Sequence, residues 1–219
     1  MTFCLNSIII KPENRKEIKN AVILLHGYGG DGKDISMVSL NWKRHMPNTV
    51  FICPNGHETC SINPSGFQWF DLTKDDPEYI LEQSINAENK IQKFIHEIKQ
   101  EFNLTNDKIC LSGFSQGCMM SINVGLTSEK KFSCIVGFSG KIIDQDNLKN
   151  RIKNSTNTLL IHGESDQIVP STSLLEAKDF LIRNNVEIET KMIKDSAHHI
   201  PIEASSVALN YIKNNFQIK

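Results

Sequence analysis

The sequence has almost no net charge: 24 Lys and Arg stand against 25 Asp and Glu in 219 residues, a formal −1 at pH 7. That balance gives no electrostatic pull toward nucleic acid or an anionic membrane surface. The charges are scattered rather than blocked, as on an ordinary solvated exterior. Long hydrophobic runs are also missing. The longest is the five residues Ala21 to Leu25, far short of the roughly 20 a transmembrane helix needs. The opening stretch, MTFCLNSIIIKPENRK, places its charges after its apolar residues, the reverse of a secretory signal peptide. A cytoplasmic protein without a transmembrane segment is expected. The six cysteines show no C-x-x-C or C-x-x-H pair, so no metal site is expected, and several lie in apolar runs where a reduced thiol acts as a small hydrophobe. There is no internal repeat, low-complexity tract or linker, and the length suits one α/β domain over residues 1–219.

Against those absences, the apolar residues come in short buried-type runs separated by helical patterns. Residues 2–10 read as an edge strand or hairpin entry. Runs at 21–25, 49–53, 108–112, 134–138 and 158–161 read as strands buried on both faces, and 186–193 as the last strand. Helices are predicted over about 78–102, 116–127, 171–184 and 202–215; in the first, Leu81, Ile85, Ile91, Ile95, Ile98 and Phe102 recur at three- and four-residue steps. Strands alternating with helices imply right-handed crossovers and a mostly parallel sheet with helices on both faces. About 19 residues separate the 134–138 and 158–161 strands, too few for a cap domain. The long irregular stretch 54–77 carries Phe67, Trp69 and Phe70, and is expected to pack beside a pocket and bind substrate.

Within this pattern, Gly113-Phe114-Ser115-Gln116-Gly117 follows a predicted strand and opens a predicted helix, the context in which G-x-S-x-G forms a nucleophile elbow. The turn strains the serine backbone, and the flanking glycines leave it room. The Gln116 N–H then points where a substrate oxyanion would form. A second donor is expected from the loop His26-Gly27-Tyr28-Gly29-Gly30-Asp31-Gly32, with the Tyr28 N–H as candidate. That loop lacks G-K-[ST], so nucleotide binding is not expected. A serine needs a base, and the base an orienting acid. Two later strand ends offer them: one carries Glu164 and Asp166, with Asp166 alternatively a helix cap, and the other carries His198 and His199. Spacing does not choose the base; His162 is a rival, and His26 reads as structural. Ser139, in GFSGK, lacks the second glycine and reads as a strand-end residue. Cys118, next to the elbow, could make activity sensitive to thiol reagents.

The order serine, acid, histidine is that of α/β-hydrolases. The segments LLHGYGGDG (24–32), FICPNG (51–56), WFDL (69–72), GFSQG (113–117), GFSG (137–140), HGESDQIVP (162–170) and SAHHIP (196–201) together resemble the phospholipase/carboxylesterase family of α/β-hydrolases, which includes the acyl-protein thioesterases. The resemblance implies Ser115 as nucleophile, Asp166 as acid, His198 as base, and Tyr28 and Gln116 as oxyanion donors. Ala197 stands where the family usually has glycine. The expected activity is hydrolysis of carboxylic esters or thioesters through an acyl-enzyme, without a cofactor, with short to medium acyl chains favoured. Substrates are small acyl esters or thioesters, and the uncapped site leaves room for an acylated protein or a lysophospholipid. The rival readings are a peptidase or amidase with the same triad, and a non-catalytic binding module on the same fold.

Overall fold

The computed structural model describes residues 3–13 and 17–218. The expected edge strand is therefore followed from residue 3 onward, and residues 1, 2, 14–16 and 219 lie outside the described set. In chain order the elements are β1 (Ser7–Ile10), β2 (Asn20–Leu25), α1 (Gly32–Trp42), β3 (Thr49–Pro54), β4 (Glu58–Thr59), β5 (Phe67–Gln68) and α2 (Pro77–Phe102). There follow β6 (Ile109–Phe114), α3 (Gln116–Thr127), β7 (Cys134–Phe138), α4 (Gln145–Arg151), β8 (Thr158–Gly163), α5 (Thr172–Arg183), β9 (Ile188–Ile193) and α6 (Ile202–Asn215). Seven strands form one sheet in the order β1-β3-β2-β6-β7-β8-β9. Only β1, at the edge, is antiparallel to its neighbour.

The two faces of the sheet carry different helices. Alternate residues such as Ile23, Leu111 and Ile135 meet α2, α3 and α5 on one side. Val22, Cys110, Val136 and Ile161 meet Ile35 and Trp42 of α1 and Ala204, Ala208 and Ile212 of α6 on the other. The middle strands are buried along their length because both faces are covered. Between β7 and β8 the chain makes only the seven-residue α4, so no cap domain covers the sheet edge.

Helix α2 starts where Asp76 accepts hydrogen bonds from the Glu78 and Tyr79 N–H groups with Pro77 in the first turn, and it ends at left-handed Asn103. Its buried stripe differs from the expected one in the first half. Leu81 and Ile85 are only half-buried, and the core takes Ser84, Ala87 and Glu88 instead. Glu88 is tolerated because Thr127 Oγ1 donates to it at 2.6 Å and Arg151 Nη1 reaches both its oxygens at 3.0 and 3.1 Å.

Helix α1 is absent from the sequence expectation for a physical reason. Its buried face holds Ser36 and Ser39 beside Ile35 and Trp42, while Met37 and Leu40 point to solvent, so no apolar stripe marks it. The stretch 54–77 is likewise not wholly irregular, since β4 and β5 pair within it as a short antiparallel hairpin.

Close approach fixes where β6 can meet α3. A Cβ on Gly113 would lie 2.3 Å from the Gly117 carbonyl, and one on Gly117 would lie 2.1 Å from the Leu25 carbonyl oxygen. Gly117→Ala should therefore force the backbones of β2 and α3 apart and cost about 2–3 kcal/mol or more, read as a lower urea midpoint; an unchanged midpoint would show that this contact is not tight.

Candidate active site

The carboxyl ends of β2, β6, β8 and β9 converge on one sheet edge, where open parallel sheets place their sites. Ser115 lies between β6 and α3 with φ 53° and ψ −116°, a conformation L residues rarely adopt. Its N–H donates to the Phe138 carbonyl at 2.8 Å, which ties the turn to β7. From there Ser115 Oγ lies 3.0 Å from His198 Nε2, and His198 Nδ1 donates to Asp166 Oδ2 at 2.7 Å. The second bond fixes the proton on Nδ1 and leaves Nε2 to accept from the serine hydroxyl.

Asp166 is held from its other side. Its Oδ1 accepts from the Ile168 and Val169 N–H groups at 2.9 Å each, so it organises its own turn and does not cap α5. Burial raises the Asp166 carboxyl pKa, but the bonds from His198, Val169 and Ile168 outweigh it and hold the group below its ordinary value. It is a carboxylate whenever the imidazole needs a counter-charge.

Among the described residues no rival bonds to Ser115, although His162 Nε2 lies 3.4 Å from Asp166 Oδ2. His162 is buried and donates through Nε2 to the Val169 carbonyl at 2.9 Å, bracing the acid turn. His199 is exposed, and Glu164 is exposed with its Oε2 near the Asp195 N–H. His26 accepts the Gly56 N–H at Nε2 and donates from Nδ1 to the Gly27 carbonyl. Burial lowers its pKa, so it stays neutral. Ser139 is buried at a strand end, its N–H on the Ile161 carbonyl. Among the described residues no group of three His, Cys, Asp or Glu side chains is placed to hold a metal ion.

Tyr28 and Gln116 both line the cleft at Ser115, and neither N–H donates to another group among the described residues. The loop bearing Tyr28 is set by the hairpin. Gly29 N–H donates to the Phe67 carbonyl at 2.9 Å and Phe67 N–H returns to the Gly30 carbonyl at 2.8 Å. Gly66 must be glycine there, because a Cβ would fall 2.0 Å from the Gly29 oxygen. The side chain of Gln116 adds a clamp: its Oε1 accepts the Trp69 N–H at 2.8 Å, and its Nε2 donates to the Phe70 carbonyl at 2.7 Å.

This arrangement corrects the expected role of the aromatics. Trp69 is fully buried, lies against the His26 ring at 5.1 Å between centroids, and donates Nε1 to the His26 carbonyl at 2.9 Å. It supports the site from beneath and does not line the cleft. Phe67 is also outside the cleft lining, and of the three only Phe70 contributes to it. The cleft, about 470 Å³, is walled mainly by Leu72, Ile80, Met119, Ile143, Ile168 and Val169, with Asp75 and Lys141 among its lining. Leu72 and the Ile168-Val169 pair lie inside the segments WFDL and HGESDQIVP without being singled out there, and Ile80, Met119 and Ile143 come from three further segments with no motif of their own. Their one signal is exposure of large apolar groups: Ile168 is 72% and Leu72 43% exposed.

The chain matches the phospholipase/carboxylesterase family over residues 6–216. The chain belongs to that family. Acyl-protein thioesterase 1 of Schizosaccharomyces pombe is 28% identical, covering 93% of each chain. Acyl-protein thioesterase 1 of Gibberella zeae is 31% identical over 68% of this chain and 70% of that one. The crystal structure of esterase PE8 superposes with a TM-score of 0.91 at 30% identity, covering 96% of this chain and 98% of that one. Acyl-protein thioesterase 2 of Zea mays shares the fold, with a TM-score of 0.76 at 20% identity and coverage of 96% and 99%. As a member of the phospholipase/carboxylesterase family the chain is an α/β-hydrolase acting on carboxylic esters or thioesters. No helix among the described residues is long and apolar enough to cross a membrane.

Cys118, at the elbow, is packed against Gly137 and Gly140, where added Cβ atoms would fall 2.3 and 2.5 Å from its sulfur. Burial pushes its thiol up to about 12, so the reactive thiolate is scarce near neutral pH. The expected sensitivity to thiol reagents is therefore replaced by its opposite. Iodoacetamide should label exposed Cys4, spare Cys118 and leave ester turnover intact; rapid inactivation with label on Cys118 would contradict this.

Proposed function

We propose that Ser115 is the nucleophile, His198 the general base and acid, and Asp166 the orienting carboxylate of this esterase or thioesterase. The observation that carries this reading is the unbroken chain from Ser115 Oγ through both nitrogens of His198 to Asp166 Oδ2. Ser115 Oγ attacks the acyl carbon as its proton passes to His198 Nε2. The carbonyl oxygen, now an oxyanion, takes hydrogen bonds from the Tyr28 and Gln116 N–H groups, with the N-terminal end of α3 behind it. Collapse breaks the bond to the thiol or alcohol, which leaves with the proton from Nε2. Water then attacks the acyl-enzyme, gives a proton to His198, and the acid departs as that proton returns to Ser115.

The acyl chain is assigned to the cleft of Phe70, Ile80, Met119 and Ile143, whose apolar walls gain from excluding water. The open edge leaves room for a large acyl carrier, and similarity to proteins named acyl-protein thioesterase favours an acylated protein over a lysophospholipid. No step calls for a cofactor.

Ser115→Ala should lower kcat/KM for p-nitrophenyl butyrate by about a thousandfold or more with the far-UV spectrum unchanged. His198→Asn should act similarly, whereas His199→Asn should stay within about twofold of the parent. Loss of activity only in His199→Asn would move the base by one residue, and unchanged turnover in Ser115→Ala would remove the nucleophile assignment.

A further inference from the structure

Ser115 and His198 stand where two clefts meet. Gly27, Tyr28, Phe114 and His198 line both the acyl cleft and a second cleft of about 340 Å³. The second cleft has neither Ser115 nor Gln116 in its lining; Ile35, Val38, His199 and Ile200 wall it instead. Val38 and Ile200 belong in turn to a third cleft, about 350 Å³, between α1 and α6. A continuous groove thus runs from the imidazole along these two helices.

The groove has a fixed floor and bare rims. Trp42, 1% exposed, closes its floor, and its Nε1 donates to the Ser205 carbonyl and Oγ at 3.1 and 3.0 Å, locking α1 to α6. Met37 on α1 and Ile202 on α6 stand on either side, 60% and 84% exposed. Helix α1 buries serines while presenting Met37 outward, the reverse of what burial of a helix face alone would select.

Chemistry orients the groove relative to the reaction. The leaving atom must take its proton from His198 Nε2, so the leaving group lies against the imidazole, while the carbonyl oxygen faces the Tyr28 and Gln116 N–H groups. The cleft that His198 lines without Ser115 or Gln116 is therefore on the leaving-group side. A small alcohol, thiol or lipid headgroup needs only the first 340 Å³ or so of it. An occupant that continues over Val38 and Ile200 into the third cleft is longer, and meets apolar side chains at Met37, Ile202 and Leu209 together with polar ones at Asn41 and Ser206. An extended polypeptide has that chemistry.

Resting on the hydrolase reading above, we propose that the α1/α6 groove is a carrier subsite that binds the peptide segment flanking the acylated side chain. Asp34 near the imidazole and Arg44 at the far end favour a cationic residue beside the acylated one and an anionic residue further along.

The test compares one octanoyl group as a thioester on N-acetylcysteamine and on the cysteine of a soluble ten-residue peptide carrying a neighbouring lysine and distal leucine and glutamate. The parent protein should prefer the peptide by about tenfold in kcat/KM, mainly through KM, and Met37→Asp and Ile202→Asp should each cut that preference at least about fivefold. Equal kcat/KM for both substrates in the parent would overturn the proposal, as would parallel losses on both substrates in the variants. So would a loss confined to acylated peptide anchored on phosphatidylcholine vesicles, which would assign the strip to a membrane surface. Absence of turnover of the small thioester by the parent is the separate result that would overturn the hydrolase reading itself.

Discussion

The backbone of Ser115 is held in a conformation that costs about 1–3 kcal/mol, and the geometry of the site depends on its staying there. Its φ of 53° aims Oγ at His198 across the sheet edge, and Gln116 begins a helix in the next residue. Relaxation is blocked on three sides. Gly113 and Gly117 let β6, α3 and β2 approach to distances that admit no Cβ. The Ser115 N–H is fixed to β7 through the Phe138 carbonyl. On the proposed mechanism this strain is preorganisation: the Ser115 hydroxyl already lies 3.0 Å from the His198 imidazole before any substrate arrives.

The second support is the stretch 54–77, which braces the elbow and also lends Phe70, Leu72 and Asp75 to the cleft wall. Through Gln116 the elbow holds the backbones of Trp69 and Phe70. Trp69 in turn packs on His26, and His26 accepts from Gly56. Phe67 exchanges hydrogen bonds with the loop that carries Tyr28. The elbow, the Tyr28 loop and the hairpin thus form one hydrogen-bonded unit, and buried hydrogen-bond networks rigidify what they join. Its members are fixed, so on the proposed reading discrimination between acyl chains falls to the side chains of Ile80, Met119, Ile143 and Ile168, which come from four separate parts of the chain.

Much of this could be read from residue order. The buried runs at 21–25, 49–53 and 134–138 lie in β2, β3 and β7, and the helix expected at 116–127 is α3, because strands covered on both faces and a helix entering a glycine-flanked turn leave strong local patterns. The histidines could be named as candidates but not ranked. His162, His198 and His199 differ in what surrounds them, and only the fold sets the first between Val169 and Asp166, the second between Asp166 and Ser115, and the third in solvent. Helix α1 was hidden by serines on its buried face, and α4, with Leu148 as its buried residue, was too short to show a period. Trp69 misled for a different reason: an aromatic in a long loop suggests a ligand contact, yet its two N–H groups found partners inside the protein. Ile80, Met119 and Ile143, scattered along the chain, leave no shared motif to find.

Fluorophosphonate labelling with peptide mapping by mass spectrometry tests the Ser115–His198 pair most directly, because the probe reports an activated serine independently of any chosen substrate. The parent protein should carry a single adduct on Ser115 within minutes, and His198→Asn should slow its formation by about a hundredfold or more. Labelling of another serine, or labelling of Ser115 at an undiminished rate in His198→Asn, would contradict the mechanism.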